Sequence, residues 1–439
     1  MLLYNIQTFS DTAEEEQGCV SGFVAIKNGE MTLGEDLLDS IFEKAATGKS
    51  LIKNRRTLTI DYVPENLPFR DEETKTIAQT LSVVLKGARP SNLLLFGKPG
   101  TGKTAVVKNV IERLNKKARE FGIEVTVPFI NAKTANTGYK VLYEIAEHMG
   151  INKEEKRLQV YFTGLSMGEA TDRILDFIQK KKKLHVVLVI DEIDSLVDKN
   201  GDDILYNFTR ANERMSEGGF ISLIGVSNSL TFKDKLDPRV RSSLSEEEMV
   251  FNPYTIEQLQ KILLDRARLA FSDGAISNGA INLCAAMAGK ENGDARKAID
   301  LLRVAAEIAE RERVFTVVEK YIRLAQEKIE KDTNYEVLKN STTHTKIIIL
   351  AIMKSKNGNT GEVYEIYSSL CKHTEQEPLT QRRITQIIGE LDQLGLVATD
   401  VISQGRYGRS QRIKITVPPL TIKEALKDSP ILSTLLLVD

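Results

Sequence analysis

Between Asp61 and about Phe251 the chain alternates amphipathic helical stretches with short apolar runs at Leu93 to Phe96, Val125 to Ile130, Val186 to Ile190 and Phe220 to Val226. Apolar runs of that length between helical repeats read as strands buried on both faces, which predicts a parallel α/β sheet with crossover helices. From Thr255 to about Lys331 the pattern is helical throughout, with Leu259, Ile262, Leu263 and Ala267, then Ile281, Ala285, Ile299, Leu302 and Ala306 as apolar positions. This predicts a separate helical unit. Beyond Asn334, three helical stretches near Thr342 to Lys354, Thr360 to Thr374 and Gln381 to Gly395 precede an alternating strand, a Gly-containing turn and a second strand, the pattern of a winged helix. Residues 1–58 carry one periodic element, Asp36 to Lys44, with Leu37, Leu38, Ile41 and Phe42 at helical spacing. The expected divisions are an N-terminal extension (1–58), an α/β domain (59–253), a helical domain (254–334), a winged helix (335–417) and a tail (418–439) that opens on Pro418 and Pro419.

Composition fits this picture. A chain of 439 residues exceeds one ordinary core, and 41% hydrophobic with 28% charged residues is a globular mixture, so several folded domains are expected. The longest apolar runs, such as Val186 to Ile190 and Ile347 to Met353, fall short of the roughly 20 residues of a membrane helix. Asp11 and Glu14 to Glu16 stand where a secretory signal would be basic, and the expected location is cytoplasmic. Cys19, Cys284 and Cys371, with His148, His185, His344 and His373, are too dispersed to form a local ligand set, so neither zinc nor disulfides are expected. A net charge of −1 excludes a uniformly basic nucleic-acid binder and leaves the question to local charge. One local cluster, Lys53-Asn54-Arg55-Arg56, reads as a solvated basic segment.

Gly97-Lys98-Pro99-Gly100-Thr101-Gly102-Lys103-Thr104 spells a complete phosphate-binding loop, directly after the strand Leu93 to Phe96 and before a helix beginning near Ala105. Glycines let backbone N–H groups turn toward phosphate oxygens, and the following helix adds its positive N-terminal end. Lys103 then supplies a cation to the β and γ phosphates of ATP or ADP, and Thr104 a hydroxyl to magnesium. The apolar strand Val186 to Ile190 delivers Asp191-Glu192 at its C-terminal edge, where ligands of parallel sheets bind. Asp191 is the magnesium candidate, and Glu192 is placed to orient or polarise the attacking water. Asp194 reads as a helix-capping or solvent residue.

Asn228 follows the strand Ile221 to Val226 and takes the first sensor position of AAA+ proteins, near the γ-phosphate. Arg239 and Arg241, in Leu236-Asp237-Pro238-Arg239-Val240-Arg241-Ser242-Ser243, are alternative arginine fingers toward a neighbouring subunit. Each has a surface or intrachain ion pair as the competing reading. Arg296, in Gly293-Asp294-Ala295-Arg296-Lys297-Ala298, begins a helix of the lid unit and matches the second sensor.

Together these residues resemble the archaeal origin-recognition initiators, relatives of the eukaryotic origin recognition complex and its helicase-loading partner, over roughly Asp61 to Val417. Asp61-Tyr62-Val63-Pro64-Glu65-Asn66-Leu67-Pro68-Phe69-Arg70 is similar to the family's adenine-side segment, which makes Val63, Pro64 and Arg70 adenine-side candidates. Asn131 to Leu142 and Phe162-Thr163-Gly164-Leu165-Ser166 resemble two further family blocks, and the first of them approaches DNA in the family. Gly138 stands where members usually carry Pro, and Phe69 where they often carry His. The resemblance implies a replication role on double-stranded origin DNA within the nucleoid, with paralogous initiators and the replicative MCM helicase as partners. It also implies a slow ATPase in which the nucleotide acts as a switch.

The C-terminal unit has the chemistry for such a role. Arg382, Arg383, Thr385 and Gln386 lie beside apolar Ile384, Ile387, Ile388, Leu391 and Leu394, so one helix face packs while the other offers donors to a groove. Arg406, Tyr407, Arg409 and Arg412 populate the wing, whose tip is basic and freed by Gly405 and Gly408 to reach phosphates or a minor groove. A winged helix used for protein contact is the competing reading of the same elements. For the whole chain the alternatives are a DNA-bound regulator that keeps ATP as a structural ligand and a remodelling ATPase of clamp-loader type.

Overall fold

The structure, a computed structural model, describes residues 26–27, 30–31, 50–135, 137–151, 164–181, 183–215, 219–403 and 409–427. Residues 1–50 and 51–439 form two units. The first contributes an antiparallel pair, β1 (Ile26–Lys27) and β2 (Glu30–Met31).

The second unit is built on a six-stranded sheet of β3 (Leu93–Phe96), β4 (Val125–Thr126), β5 (Phe129–Asn131), β6 (His185–Asp191), β7 (Phe220–Ser227) and β8 (Glu247–Val250). Its order runs from an edge shared by β4 and β5 through β6, β7 and β3 to β8, and every pairing is parallel. The single strand expected over Val125 to Ile130 is interrupted at Pro128, which has no N–H to give, although its carbonyl still accepts from Val189 at 2.9 Å. β8 carries Glu247 and Glu248 and is only half-buried, so no apolar run marked it in the sequence.

β6 is buried along its whole length, and its side chains alternate between two cores. Val186, Leu188 and Ile190 pack with α3 (Gly138–Met149), α4 (Met167–Lys180) and α5 (Ile193–Asn200). Val187 and Val189 pack with α1 (Asp71–Ser82) and α2 (Lys103–Glu120). α6 (Asp203–Thr209), α7 (Ala211–Arg214) and α8 (Pro238–Leu244) complete the first layer. Gly138 opens α3, where its N–H donates to Asn200 Oδ1 at 3.0 Å and a Cβ would lie 2.9 Å from both Ile204 and Met167. A proline here would forfeit that bond and crowd those side chains, which accounts for the glycine.

The lid comprises α9 (Ile256–Ala270), α10 (Asn278–Lys290), α11 (Ala295–Arg311) and α12 (Glu319–Asn340). A Thr255/Gln258 capping box starts α9, and the Asp294 side chain caps α11. Leu51, Ile52 and Leu58 are buried in the lid core, and Arg55 pairs with Glu310 of α11. The basic segment Lys53 to Arg56 is exposed, as read, and the apolar residues that flank it hold it as a strap on the lid. α12 joins two cores, with Tyr321, Ile322 and Ala325 in the lid and Leu338 in the winged helix.

The C-terminal unit follows the expected order: α13 (Thr343–Lys354), α14 (Thr360–His373), α15 (Gln381–Gln393), then the antiparallel wing strands β9 (Val397–Ser403) and β10 (Arg409–Ile415). Packing carries this unit beyond residue 417, because α16 (Pro419–Lys427) buries Ile422, Ala425 and Leu426 in the same core.

Candidate functional site

The phosphate loop lies between β3 and α2 and faces a cavity of about 1010 Å³. Gly100, Gly102, Thr104 and Ala105 line it, together with Val63, Pro64, Asn131, Asp191, Glu192, Tyr254, Ala295 and Arg296. The loop is pressed from behind. A Cβ at Gly102 would come within 2.7 Å of the Tyr254 hydroxyl, at a φ of +91° that side chains avoid, and one at Gly100 would overlap the Asp294 carboxylate. Lid and loop are tied further by Ala295 N donating to Gly100 O at 3.2 Å and Lys98 Nζ donating to Asn292 Oδ1 at 2.8 Å.

Lys103 is 4% exposed, and its ammonium donates to the carbonyls of Gly97 at 2.6 Å and Lys98 at 2.9 Å and to Asn228 Oδ1 at 3.0 Å. Burial and the nearby Arg296 push its pKa down to about 8, against the opposing pull of Asp191, Asp194 and Asp294. Gly97, Lys98, Pro99 and Thr101 lie off the cavity wall; the buried Thr101 hydroxyl donates to Lys98 O at 2.9 Å and closes the turn.

Thr104 Oγ1 donates to Asp191 Oδ2 at 3.0 Å, which brings together the two groups expected to serve magnesium. A hard cation that keeps its waters and binds phosphate needs only such a hydroxyl and carboxylate from the protein, and a cradle of glycines facing them fits a triphosphate. Glu192 stands next, in the left-handed region at φ 55°, ψ 44°. For a non-glycine residue that backbone is strained, which is typical of residues held in a working orientation. Asp194, read as a capping or solvent residue, instead has a buried Oδ1 without a hydrogen-bond partner among the described residues.

Arg70 departs from its adenine-side expectation. It is buried beneath the loop, outside the cavity lining, with Nε donating to Thr101 O at 2.9 Å and to the Tyr254 hydroxyl at 3.2 Å. Its guanidinium stacks 4.1 Å from the Tyr254 ring and pairs with Glu73 at 2.9 Å. Arg239 and Arg241 are exposed on α8, away from the cavity, and Arg239 pairs with Asp237 at 3.0 Å. Asn228 is exposed just past the end of β7.

Sequence reading missed Asn109, Arg113 and Arg266, which hold the cavity wall through backbone carbonyls. A signal existed for Arg266 and Asn109: each is a polar residue on the apolar face of its helix, and both are buried.

In the winged helix, Ile384, Ile387, Ile388 and Leu391 are buried while Arg382, Arg383 and Gln386 are exposed on the opposite face of α15. Gln386 Nε2 donates to Glu390 at 3.1 Å, and Arg383 approaches the same carboxylate at 3.8 Å. Arg412 is exposed on β10. Arg406 and Tyr407 lie outside the described residues, as do Asn136, Phe162 and Thr163, and Arg409 is described only in its backbone. No helix among the described residues is long and apolar enough to cross a membrane.

The parallel sheet, its phosphate loop and acidic strand end, and the helical lid define an AAA+ ATPase fold with a winged helix appended. Family models match in chain order: an AAA domain over residues 87–231, the Cdc6 AAA+ ATPase-type lid domain over 260–327 and the CDC6 C-terminal winged helix domain over 336–425. The chain is 45% identical over 411 residues to the ORC1-type DNA replication protein of Thermococcus onnurineus, covering 92% of this chain and 98% of that one. To the ORC1-type DNA replication protein of Pyrococcus horikoshii it is 46% identical over 403 residues, covering 90% and 95%. The solved structure of the Aeropyrum pernix ORC1 protein in complex with DNA matches with a TM-score of 0.76 at 41% identity, covering 88% of this chain and all of that one. The chain belongs to the ORC1-type DNA replication proteins.

Proposed function

We propose that this protein is an ATP-dependent replication initiator that binds double-stranded origin DNA through its winged helix and, in its ATP state, helps recruit the replicative MCM helicase alongside paralogous initiators. The observation that carries the reading is the junction of Thr104 and Asp191 at 3.0 Å, in the lining of a cavity that lid residues also line, in the same chain as a helix whose first turn exposes Arg382 and Arg383. Lys103 would exchange its carbonyl partners for β and γ phosphate oxygens, and Thr104 and Asp191 would hold magnesium. ATP with magnesium, when bound, supplies the transferable γ-phosphoryl group and part of the charge neutralisation. Glu192 orients the attacking water and accepts its proton, and Asn228 positions that water from the end of β7. Arg296 on α11 senses the phosphate, so lid position follows nucleotide state, and Arg239 or Arg241 completes a neighbour's site. Hydrolysis by a single chain is slow because the finger comes from another subunit.

Binding to DNA is supported by the relative solved on DNA and by the exposure of Arg382, Arg383 and Gln386 on α15 and of Arg412 on β10; in this reading the helix residues serve base edges, and Arg406, Tyr407, Arg409 and Arg412 of the wing serve the backbone. Footprinting the protein across the genome that encodes it tests the role. Sites concentrated at replication starts support the initiator; sites spread over promoters make it a DNA-bound regulator that keeps ATP as a structural ligand.

A further inference from the structure

The segment from Arg56 to Pro68, whose Ile60 to Pro68 part lines the cavity, has no strand partner. Pro64 and Pro68 carry no N–H, and past the single 3-10 turn Arg55–Leu58 the backbone bonds up to Tyr62 are Thr59 N to Arg56 O at 3.1 Å and Tyr62 N to Thr59 O at 3.4 Å. A segment without a ladder takes its shape from the side chains that bond its carbonyls. On one side these come from α2: Asn109 donates to Pro64 O at 3.2 Å and Glu65 O at 3.0 Å, and Arg113 to Glu65 O at 2.8 Å. On the other side, where Leu58 is buried in the lid core, one lid side chain bonds these carbonyls among the described residues. Arg266 of α9 donates through one terminal nitrogen to Thr57 O at 3.0 Å and through the other to Tyr62 O at 2.9 Å, with its guanidinium 4.6 Å from the Tyr62 ring centre.

Arg266 is 8% exposed, and no carboxylate is paired with it among the described ion pairs. A buried cation without a carboxylate costs stability, so the two carbonyls and the ring are what hold it. Arg266 and Tyr62 both line the cavity, as do Val63 and Pro64. The planar fork reaches two carbonyls five residues apart, a geometry that a lysine ammonium on a single point cannot reproduce.

We infer that Arg266 is a positioning residue for nucleotide recognition: it fixes the Thr57 to Pro64 wall against the lid, so that the base-side half of the cavity forms only when the lid is in place. The inference rests on the nucleotide reading of the cavity. It assigns the lid two separate contacts with the ligand, Arg296 directly at the phosphates and Arg266 through the wall at the base and ribose. Loss of Arg266 therefore loosens the base side and leaves the phosphate side intact.

The test measures binding of magnesium-ATP and of magnesium-tripolyphosphate, which lacks base and sugar, to the full chain and to Arg266→Ala, Arg266→Lys and Lys103→Ala. Both Arg266 variants should lose roughly tenfold or more in ATP affinity, the value of about one charged-group hydrogen bond, with tripolyphosphate affinity unchanged. Lys103→Ala should lose both ligands. Parallel loss of ATP and tripolyphosphate in the Arg266 variants would overturn the inference, because it would mean general damage to the domain. ATP affinity equal to the parent's, or full rescue by lysine, would overturn it as well. If the alanine variant does not fold, as judged by circular dichroism and urea midpoint, the lysine variant carries the comparison. A parent protein that binds neither ligand would instead sink the nucleotide reading itself.

Discussion

The Lys103 ammonium donates to Asn228 Oδ1 at 3.0 Å, joining the phosphate loop to the end of β7 across the β3–β7 pairing. Binding and hydrolysis should therefore separate by residue. Lys103→Ala removes the cation that meets phosphate and should weaken ATP binding by about 1.5–3 kcal/mol, roughly ten- to a hundredfold. Glu192→Gln should keep ATP affinity and slow turnover by roughly a hundredfold or more. Equilibrium binding and single-turnover hydrolysis on the same preparations check this, and equal loss of affinity in both variants would contradict the roles.

Arg239 and Arg241 are exposed and do not line their own chain's cavity, which is the placement the proposed action on a neighbour's nucleotide requires. Turnover per chain should rise with protein concentration, and one of Arg239→Ala or Arg241→Ala should lower it by roughly a thousandfold at saturating ATP without weakening binding. Concentration-independent turnover, unaltered by both substitutions, would remove the trans arginine. The Asp237 partner of Arg239 makes Arg241 the less encumbered of the two, although both are exposed.

Much of this site was legible because its chemistry is contiguous. Gly97 to Thr104 and Asp191-Glu192 are short runs whose strand context is also local, and the structure brings Thr104 and Asp191 into contact. What was illegible depends on distant chain segments. Arg70 was assigned to the base from its neighbours in sequence, but Tyr254 and Asn252, more than 180 residues away, draw it under the loop. Lys53 to Arg56 are solvated as read, but the docking of Leu51, Ile52 and Leu58 on the lid left no periodic signal in the sequence. β8 was missed because an edge strand needs burial on one face only, and its glutamates mask the pattern.

His185 supplies a pH test of the sheet. It stacks on Phe220 at 4.0 Å with Nδ1 buried and unpartnered among the described residues, and burial pushes its pKa below the ordinary 6.5. A lowered folded value means the unfolded chain binds the proton first, so this contribution to stability is full above pH 6.5 and is lost as pH falls below it. Urea midpoints of the parent and His185→Phe, compared between pH 7.5 and about 5.5 where histidine titrates, should show the parent losing more. Parallel curves would exclude a role for this imidazole.

Cys284 is buried in the lid core, where desolvation pushes its thiol up to about 12, and Cys371 is buried in the winged helix with its thiol also raised. Both should resist a thiol reagent at neutral pH until denaturant opens their own domain. Mass spectrometry after a labelling pulse along a urea gradient checks this, and it also reports whether lid and winged helix unfold separately. Rapid labelling of either residue in buffer would contradict the packing.

The central claim is that a nucleotide-binding AAA+ base delivers a winged helix to origin DNA. Its most direct test is a titration of origin and random duplexes at several salt concentrations, with the parent, Arg383→Ala and Arg412→Ala. Arg383 stands on the exposed face of α15 and Arg412 on the exposed side of β10, so they should fail differently. Arg412→Ala should weaken binding to every duplex and lower the salt slope by about one unit, the counterion released at one phosphate. Arg383→Ala should cost roughly 1–3 kcal/mol of discrimination between origin and random sequence and leave non-specific affinity nearly intact. If both variants bind every duplex as the parent does, with the same salt slope, the winged helix is a protein-contact domain and the account fails at its centre.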